Sequence, residues 1–404
     1  TGAARTGRGG AMNLLDVERD QAIADLRRRT RDFVDRHAIA LEDRAQVHNP
    51  EAMDAALAVL RPVAQAQRLY LPQLPREHGG LGLTWVQRAV VLEEAGRSHL
   101  GPGAMNCAAP DQPNMISLLS QGTAAQQRRY LEPLAAGQIR SCFAMTEPAP
   151  GAGSDPSMLQ TRAVRTPGGW TIAGHKWFIT GAVGARFAIV LAQTDEGPTQ
   201  FIVETSHPGF RLVRSIPAID PYAIGGHGEI LFEHCEVAHD AVLGEVGKGF
   251  VYAQQRLEPA RLSHCMRLTG RARRALELAQ DYVKQRHSFG QRLADLQQVQ
   301  AMVADCHMKL HACRLMTLDC AARMDAGLSV KTESAMTKVF VSESLYQVAD
   351  SAAQLMGALG MSEDAPVALI LRELRPFRIY DGASELHRAT LGRRLLQSTP
   401  GDNP

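Results

Sequence analysis

No stretch of this 404-residue chain approaches the ~20 consecutive apolar residues that a helix needs to cross a bilayer. No charged start leads into an apolar run, so neither a secretory signal nor a membrane association is expected. The seven cysteines are odd in number and include no Cys-x-x-Cys pair, which argues against a disulfide framework and for free thiols in a reducing cytoplasm. The net charge is only +2, which argues against a nucleic-acid-binding face spread over the whole chain; Arg27-Arg28-Arg29 with Arg31 reads as a solvated helix face. No Gly-x-Gly-x-x-Gly follows a strand and opens a helix, and Gly151-Ala152-Gly153-Ser154 is too short for a Walker loop and lacks its lysine. His307 and His311 are spaced i, i+4 but lack the glutamate of a zinc protease, and Cys306, Cys313 and Cys320 recur every seven residues as a small-residue core stripe. No metal site is expected. Internal repeats and long low-complexity segments are also missing.

What is present is an ordinary globular composition, 45% hydrophobic and 21% charged, long enough for two or three domains with a sizeable core. Residues 1–11 are Gly/Arg-rich and are set aside as a tail or an expression remnant. Residues 12–140 read as helical: Leu14 to Arg44 is amphipathic, Pro50 marks a helix start, Pro72 to Leu83 is a breaker-rich loop, and Thr84 to Ala95 and Ala124 to Ala136 are further helices. The texture changes at about Ser141. Short β-rich runs (Trp170 to Ile172, Phe187 to Leu191, Thr199 to Val203, Phe210 to Val213, Glu229 to Phe232) are separated by glycine and proline, as in a small antiparallel barrel or sandwich over 141–246. From 247 to 400 three long segments almost free of proline and a shorter fourth suit an up-and-down bundle. The fold class expected is mainly α with a central β domain.

Near the C-terminus, Ile379-Tyr380-Asp381-Gly382-Ala383-Ser384-Glu385-Leu386-His387-Arg388 places one acid and a glycine on a non-helical corner ahead of a helix-compatible run. A carboxylate there can project into a pocket from the bend of the chain. Upstream stand Met145-Thr146-Glu147-Pro148, Gly151-Ala152-Gly153-Ser154-Asp155 and Lys176-Trp177-Phe178-Ile179-Thr180. The Gly-rich loop taken alone would be an ordinary turn, although such a loop lets backbone N–H groups approach a polar ligand. Together, in this order and at these separations, the blocks resemble the acyl-CoA dehydrogenase family over nearly all of Leu14 to Leu396. The helical, β, helical order resembles that family as well.

The resemblance implies FAD and the α,β-dehydrogenation of an acyl-CoA thioester to the trans-2-enoyl-CoA. In the family a carboxylate on the corner removes the α-proton while a hydride leaves the β-carbon for flavin N5; here that carboxylate is Asp381, where most members carry Glu. Phe143, Met145, Thr146, Gly153, Ser154, Phe178 and Thr180 would line the flavin, with Thr180 as a hydrogen-bond donor. Arg286-His287-Ser288-Phe289-Gly290 would bring Arg286 and Phe289 to the FAD of a neighbouring subunit, joined by Gln297, Gln354 and Gly357, with Ala383 and Glu385 as further cofactor contacts. Ser154, Arg261 and Gly382 would contact the substrate. Two extra residues separate Pro148 from Gly151, Phe178 replaces a common Trp, and Ala358 replaces a common Gly. The family's second location for the base is Ala260 here, and Glu258 reads as a surface or capping acid.

A carboxylate with a pKa of ~4 is a poor base for a thioester α-C–H, so an apolar pocket that raises it is expected. The text around Gly225-Gly226-His227-Gly228 and Arg261 to Arg267 resembles the branch whose corner base is Asp, some members of which carry an appended kinase-like domain. The family implies a homotetramer or homodimer and an electron-transfer flavoprotein as partner. Alternatives on the same fold are a nitroalkane-oxidase-like or acyl-CoA-oxidase-like flavoenzyme and an inactive flavin-binding scaffold.

Overall fold

The computed structural model describes residues 20–43, 49–220 and 223–397; the tail assigned to 1–11 and the start of the first helical region lie outside them. Helix α1 (Gln21–Phe33) begins where the Asp20 carboxylate accepts the Ala22 and Ile23 N–H groups. Helix α2 (Pro50–Ala66) begins the same way on Asn49, with Pro50 in the first turn where its missing N–H costs nothing. Helix α3 (Trp85–Ala95) starts on a reciprocal Thr84/Gln87 capping box. Helix α4 (Asp111–Gln121) then leads to the sheet.

Seven strands form that sheet: β1 (Ser141–Ala144), β2 (Arg162–Thr166), β3 (Gly169–Thr180), β4 (Phe187–Thr194), β5 (Gly197–Glu204), β6 (Phe210–Ser215) and β7 (His227–Ala238). Their order is β1-β4-β2-β3-β7-β6, with β5 added to β4. Hairpin neighbours run antiparallel, but β1 and β2 lie parallel to β4. This departs from a purely antiparallel reading. The β2–β3 hairpin stands between them in the chain, so β4 returns in the direction of β1. Strand β2 escaped the sequence pattern because only Ala163 of Arg162–Thr166 is buried.

The C-terminal half is built on α5 (Gly249–Gln285), a small hairpin of β8 (His287–Ser288) and β9 (Gln291–Arg292), then α6 (Gln297–Asp325), α7 (Lys331–Met356), α8 (Pro366–Leu374) and α9 (Ser384–Gln397). Cys306, Cys313 and Cys320 line the buried side of α6, as the core-stripe reading held. The mainly helical fold with its central sheet is the class expected.

Helix α5 crosses α3 with almost no space between backbones. A Cβ on Gly270 would fall 1.8 Å from the Glu93 carbonyl oxygen, and one on Gly96 would fall 1.8 Å from that of Arg267. Buried charges lock the same crossing. Arg273 pairs with Glu93 at 2.6 Å and with Glu94, and Arg314 of α6 reaches Glu93 at 2.7 Å. No side chain but hydrogen fits between these peptide planes, and the partner there is backbone that cannot swing away. Gly270→Ala is therefore expected to destabilise the fold by about 3 kcal/mol or more. Urea denaturation monitored by far-UV circular dichroism measures this, and a midpoint equal to wild type would refute the crossing.

Candidate active site

After α8 a short 3₁₀ turn, Arg375–Arg378, ends the helical path, and the chain bends at Asp381 and Gly382 with φ of 55° and 96°. A non-glycine residue held in the left-handed region costs on the order of 1–2 kcal/mol, so something must fix it. The Asp381 carbonyl accepts from Arg261 Nε at 2.8 Å and His387 Nε2 at 3.1 Å, and the Gly382 carbonyl accepts from Lys338 Nζ at 2.6 Å. A Cβ at residue 382 would lie 2.5 Å from His387 Nε2, so glycine is required there. Three donors from α5, α7 and α9 thus hold the two carbonyls of one bend. Lys338 is fully buried, and burial lowers its ammonium to about 8 against the attraction of Asp381.

The Asp381 side chain points inward. Its Oδ2 is buried without a hydrogen-bond partner, and His264 Nε2 stands 3.5 Å away, beyond a good hydrogen bond. Arg267 Nη2 meets His264 Nδ1 at 3.3 Å; because the guanidinium can only donate, Nδ1 accepts and Nε2 carries the hydrogen that faces the carboxylate. Burial, followed by the charges of Arg267, Arg256 and Lys338, depresses the His264 imidazole well below its ordinary value, so it stays neutral. The rings of His264, Phe377 and Tyr380 stack loosely at 5.0–5.8 Å.

Among the described residues these rings form an apolar side to the surroundings of Asp381. The Asp381 charge also acts on Arg256, Arg261, Arg267 and Lys338. The surroundings are cationic, a correction to the sequence reading. Positions 256, 260, 264 and 267 repeat at helical spacing, which brings Arg256, Ala260, His264 and Arg267 to one face of α5. The sequence signal for this was the block Arg261 to Arg267, but nothing in it shows that the face turns toward Asp381.

The Thr146–Asp155 loop is organised by a buried ion pair that sequence reasoning did not single out. Lys176 Nζ lies 2.9 Å from Glu147 Oε1, and both side chains are almost wholly buried. Glu147 also accepts the N–H groups of Ala152, Gln160 and Thr161. Burial alone would raise its carboxyl; Lys176 and these hydrogen bonds outweigh that and hold it at about 2. Lys176 donates a further bond to the Met145 carbonyl, and the Trp177 N–H bonds to the Thr146 carbonyl, so the loop is tied to β3. Phe143 lies on β1 under the Arg256 guanidinium, 4.0 Å from its ring centroid. Gly153 has open space where a Cβ would stand, and Ser154 beside it is exposed.

Phe178 occupies a register shift between β3 and β7 with φ of 51°, and its ring is 47% exposed. Thr180 Oγ1 sits 3.0 Å from His227 Nδ1, and His227 Nε2 contacts the Asp220 carboxylate at 3.0 Å. With Nε2 donating to Asp220, Nδ1 takes the Thr180 hydroxyl proton, so Thr180 is occupied as a donor and free as an acceptor, which corrects the expectation that it donates to the flavin.

A third group lies on the surface, apart from the corner. Arg286 caps the C-terminal end of α5, Gln297 opens α6, Gln354 and Gly357 end α7, and all are exposed. Phe289, on the β8–β9 turn, has φ of 53° and is 91% exposed. Ala383 is half-buried beside Gly382, and Glu385 is exposed on the first turn of α9. Glu258 is half-buried. Among the described residues the hydrogen-bond partner of His307 is Gln280, at 3.1 Å.

The residues present fit FAD. Two aromatic rings stand exposed on left-handed backbone, an arrangement costly for an unliganded surface. Thr180, two residues beyond the first of them on β3, offers an acceptor, and Gly153 has open space where a Cβ would stand. Phe143, Met145, Thr146, Gly153, Ser154, Phe178 and Thr180 would hold the ring system, and Arg286 with Phe289 a phosphate and base.

Three family descriptions match the chain in succession: acyl-CoA dehydrogenase, N-terminal domain over residues 20–138, middle domain over 142–235 and C-terminal domain over 247–396. The protein named "Probable acyl-CoA dehydrogenase FadE2" of Mycobacterium tuberculosis is 34% identical over 95% of this chain and 97% of its own length. "Acyl-CoA dehydrogenase family member 11" of Gallus gallus is 36% identical over 83% of this chain, but the match spans 44% of that protein; the chain covers half or less of several such relatives. The butyryl-CoA dehydrogenase structure from Megasphaera elsdenii superposes with a TM-score of 0.81 at 28% identity, covering 93% of this chain and 98% of that one.

The neutral histidines at the corner give a pH test. Burial, then Arg261 and Lys338, lowers His387 to about 4, against the pull of its bond to the Asp381 carbonyl. A folded-state value below the unfolded one means that the unfolded chain binds the proton first. The contribution is therefore complete above pH ~6.5 and is lost as pH falls toward about 4. His387→Gln should reduce the loss of stability between about pH 7 and pH 5 by roughly 1 kcal/mol, after discounting for partial solvation. Denaturation midpoints of both proteins across that range measure it; parallel curves would refute the assignment.

Proposed function

The chain belongs to the acyl-CoA dehydrogenase family, and we propose that it is an FAD-dependent enzyme that introduces a trans α,β double bond into an acyl-CoA thioester, with Asp381 as the base. The observation that supports this best is the Asp381 carboxylate: one oxygen is buried without a partner on a bend that three separate helices hold in place. A base needs an accessible lone pair fixed within hydrogen-bond reach of the proton it removes. An aspartate reaches about one C–C bond less far than a glutamate, so the fixed bend matters more here, since small misplacement is costly.

In the reaction two C–H bonds break and one C=C bond forms. The α-proton passes to Asp381 Oδ2, and its electron pair becomes the new π bond as the β-hydrogen departs with the electrons of its own bond. Bound FAD supplies the two-electron acceptor for that β-hydrogen. Arg261 and His387 keep the base's backbone in register. His264, neutral, turns its Nε2 hydrogen toward the carboxylate from 3.5 Å, too far for a good hydrogen bond, and so leaves Oδ2 free to take the proton. Arg261 and Arg267 of α5 and Lys338 of α7 favour the negative charge that spreads over the thioester as the proton leaves. Lys176 and Glu147 hold the loop of Met145, Thr146 and Ser154 against β3, so the cofactor surface is fixed beforehand.

Further parts of the reading rest on the same family. Division into domains at about residues 140 and 246 is part of this reading, and the segments matched over 20–138, 142–235 and 247–396 support it. The exposed Arg286, Phe289, Gln297, Gln354 and Gly357 suit an FAD shared across a homodimer or homotetramer. An electron-transfer flavoprotein is the natural electron acceptor, and the seven buried free thiols suit a reducing cytoplasm. The Asp corner and the Arg261 to Arg267 block favour the Asp-base branch. A nitroalkane carbon is acidic enough to need no cationic help, so the cation-rich pocket favours the thioester over the oxidase alternative.

Mixing the FAD-loaded protein anaerobically with a panel of acyl-CoAs and nitroalkanes tests the reading. Bleaching of the flavin absorbance by acyl-CoAs is expected; bleaching by nitroalkanes alone would overturn it. Asp381→Asn should stay yellow and lose at least about a hundredfold in the bleaching rate. A fully active Asp381→Asn protein would remove the proposed base. Arg286→Ala should weaken FAD retention at least about tenfold, measured by dialysis and fluorescence, because a charge-assisted phosphate contact is lost.

A further inference from the structure

Three of the four cations around Asp381 have structural partners. Arg261 and Lys338 bind the carbonyls of the corner, and Lys338 also lies against the Phe377 ring. Arg267 donates to the Cys107 carbonyl at 2.8 Å and to His264. Arg261 is also within the field of Glu258, and Lys338 within that of Glu343.

Arg256 differs. It is 6% exposed, and among its nitrogens only Nε is hydrogen-bonded, donating to Asn114 Oδ1 at 2.9 Å. The Asn114 amide is fixed in that orientation because its Nδ2 donates to Ser141 Oγ, which in turn donates to Asp111. Among the described residues Arg256 forms no ion pair, its two terminal nitrogens have no hydrogen-bond partner, and Asp381 is the one carboxylate that acts on it. A buried guanidinium is costly to desolvate unless an anion meets it. Its fixed Nε bond and the Phe143 ring beneath it aim the remaining two nitrogens as a fork, the geometry that grips a carboxylate through two parallel bonds. On the same face of α5, one turn on, Ala260 offers only a methyl group before His264. The face of α5 beside the base is thus polar at Arg256 and His264, with only a methyl group between them. A plain hydrocarbon tail would gain nothing from it and would strand the charge.

Building on the acyl-CoA dehydrogenase reading, we infer that the acyl group taken by this site bears a second carboxylate, so that the substrate is the CoA monothioester of a dicarboxylic acid, with the free carboxylate seated on the Arg256 fork. Arg256 then determines specificity. It does not enter the chemistry, and Asp381 remains the base.

CoA thioethers test this without any turnover, because they lack the thioester whose α-proton is acidic. Isothermal titration of the FAD-loaded protein compares carboxyalkyl-CoA thioethers, carboxypropyl to carboxyheptyl, with alkyl-CoA thioethers of matching length. At the best length the carboxylate should tighten binding roughly tenfold or more, the range of a charge-assisted hydrogen-bonded pair. Arg256→Gln should abolish that preference, and Arg256→Lys, which keeps the charge without the fork, should retain part of it. Equal affinity of both series in the unmodified protein overturns the inference, as does a preference that survives Arg256→Gln. A uniform loss for both series in Arg256→Gln would also overturn it, since it would place Arg256 in service of the cofactor or the CoA moiety. Should Arg256→Gln fail to fold, the Arg256→Lys protein decides: a preference undiminished from wild type counts against the fork. Failure of the dehydrogenase reading would appear instead as absence of flavin bleaching by thioesters, and it leaves the thioether comparison intact.

Discussion

The contact on which the site depends is the backbone-to-backbone crossing of α3 and α5 at Gly96 and Gly270. Helix α5 has 37 residues, about 55 Å at the rise of an α-helix, and it touches every layer of the molecule. Its first residue, Gly249, packs against Thr199 of the sheet, its middle faces α3 and α4, and its end delivers the β8–β9 turn. A rod of this kind positions a site only if its rotation is fixed. Two glycines without room for a Cβ, flanked by Arg273 and Arg314 on Glu93 and Glu94, supply that fixation. The rotation so set is what turns Arg256, Ala260, His264 and Arg267 toward Asp381. A crossing only slightly looser would let the same residues settle at another angle, because helix ridges pack in more than one register.

The corner shows how a fold sustains a strained residue near its chemistry. A left-handed aspartate is unfavourable alone, and here α5, α7 and α9 each contribute one donor to two adjacent carbonyls. Backbone carbonyls absorb the donors, so the side chain keeps a free oxygen. Had Arg261 or Lys338 reached the carboxylate itself, the base would be tied up in an ion pair and poorly placed to take a proton. The same economy governs the loop under β3, where Glu147 spends its acceptors on three backbone N–H groups and Lys176, leaving the exposed faces of Gly153 and Ser154 open.

Much of this was legible in the sequence, and the limits follow from range. The order of helical, β and helical regions could be read because periodicity and breakers are local signals. The corner could be read because an acid and a glycine ahead of a helix-forming run are neighbours in the chain. Strand β2 was hidden by its single buried residue, and the parallel pairings of β4 by a connection that only the assembled sheet reveals. The electrostatic character of the pocket was misread for a physical reason. Arg256 meets Asn114 across 142 positions and Lys338 meets Gly382 across 44, and neither partner leaves a mark in the local text of the other. Arginines on a long helix look like solvated surface until the helix is placed. The Glu147–Lys176 pair was similarly overlooked: its residues were quoted for what they flank, and a buried ion pair 29 positions apart has no period.

The cationic pocket changes how the base should be understood. A carboxylate can be made effective by raising its own basicity in an apolar cavity, or by making the carbon acid easier to ionise. The arrangement around Asp381 belongs to the second kind. As the α-proton moves to Asp381, the negative charge leaves the carboxylate and spreads over the thioester, so nearby cations that stabilise the ionised base in the ground state must find as much or more charge on the substrate in the transition state. Catalysis gains only from that difference. Arg261, Arg267 and Lys338 are bound to carbonyls and, among the described residues, form no ion pair, so their field is available to the charge on the thioester, whereas a cation whose charge is already met by a substrate carboxylate contributes binding that is uniform across the reaction. An Arg256 engaged in that way would raise affinity and leave the chemical step to Asp381 and the other three cations. The division separates recognition from proton transfer even though both occur along one face of a single helix.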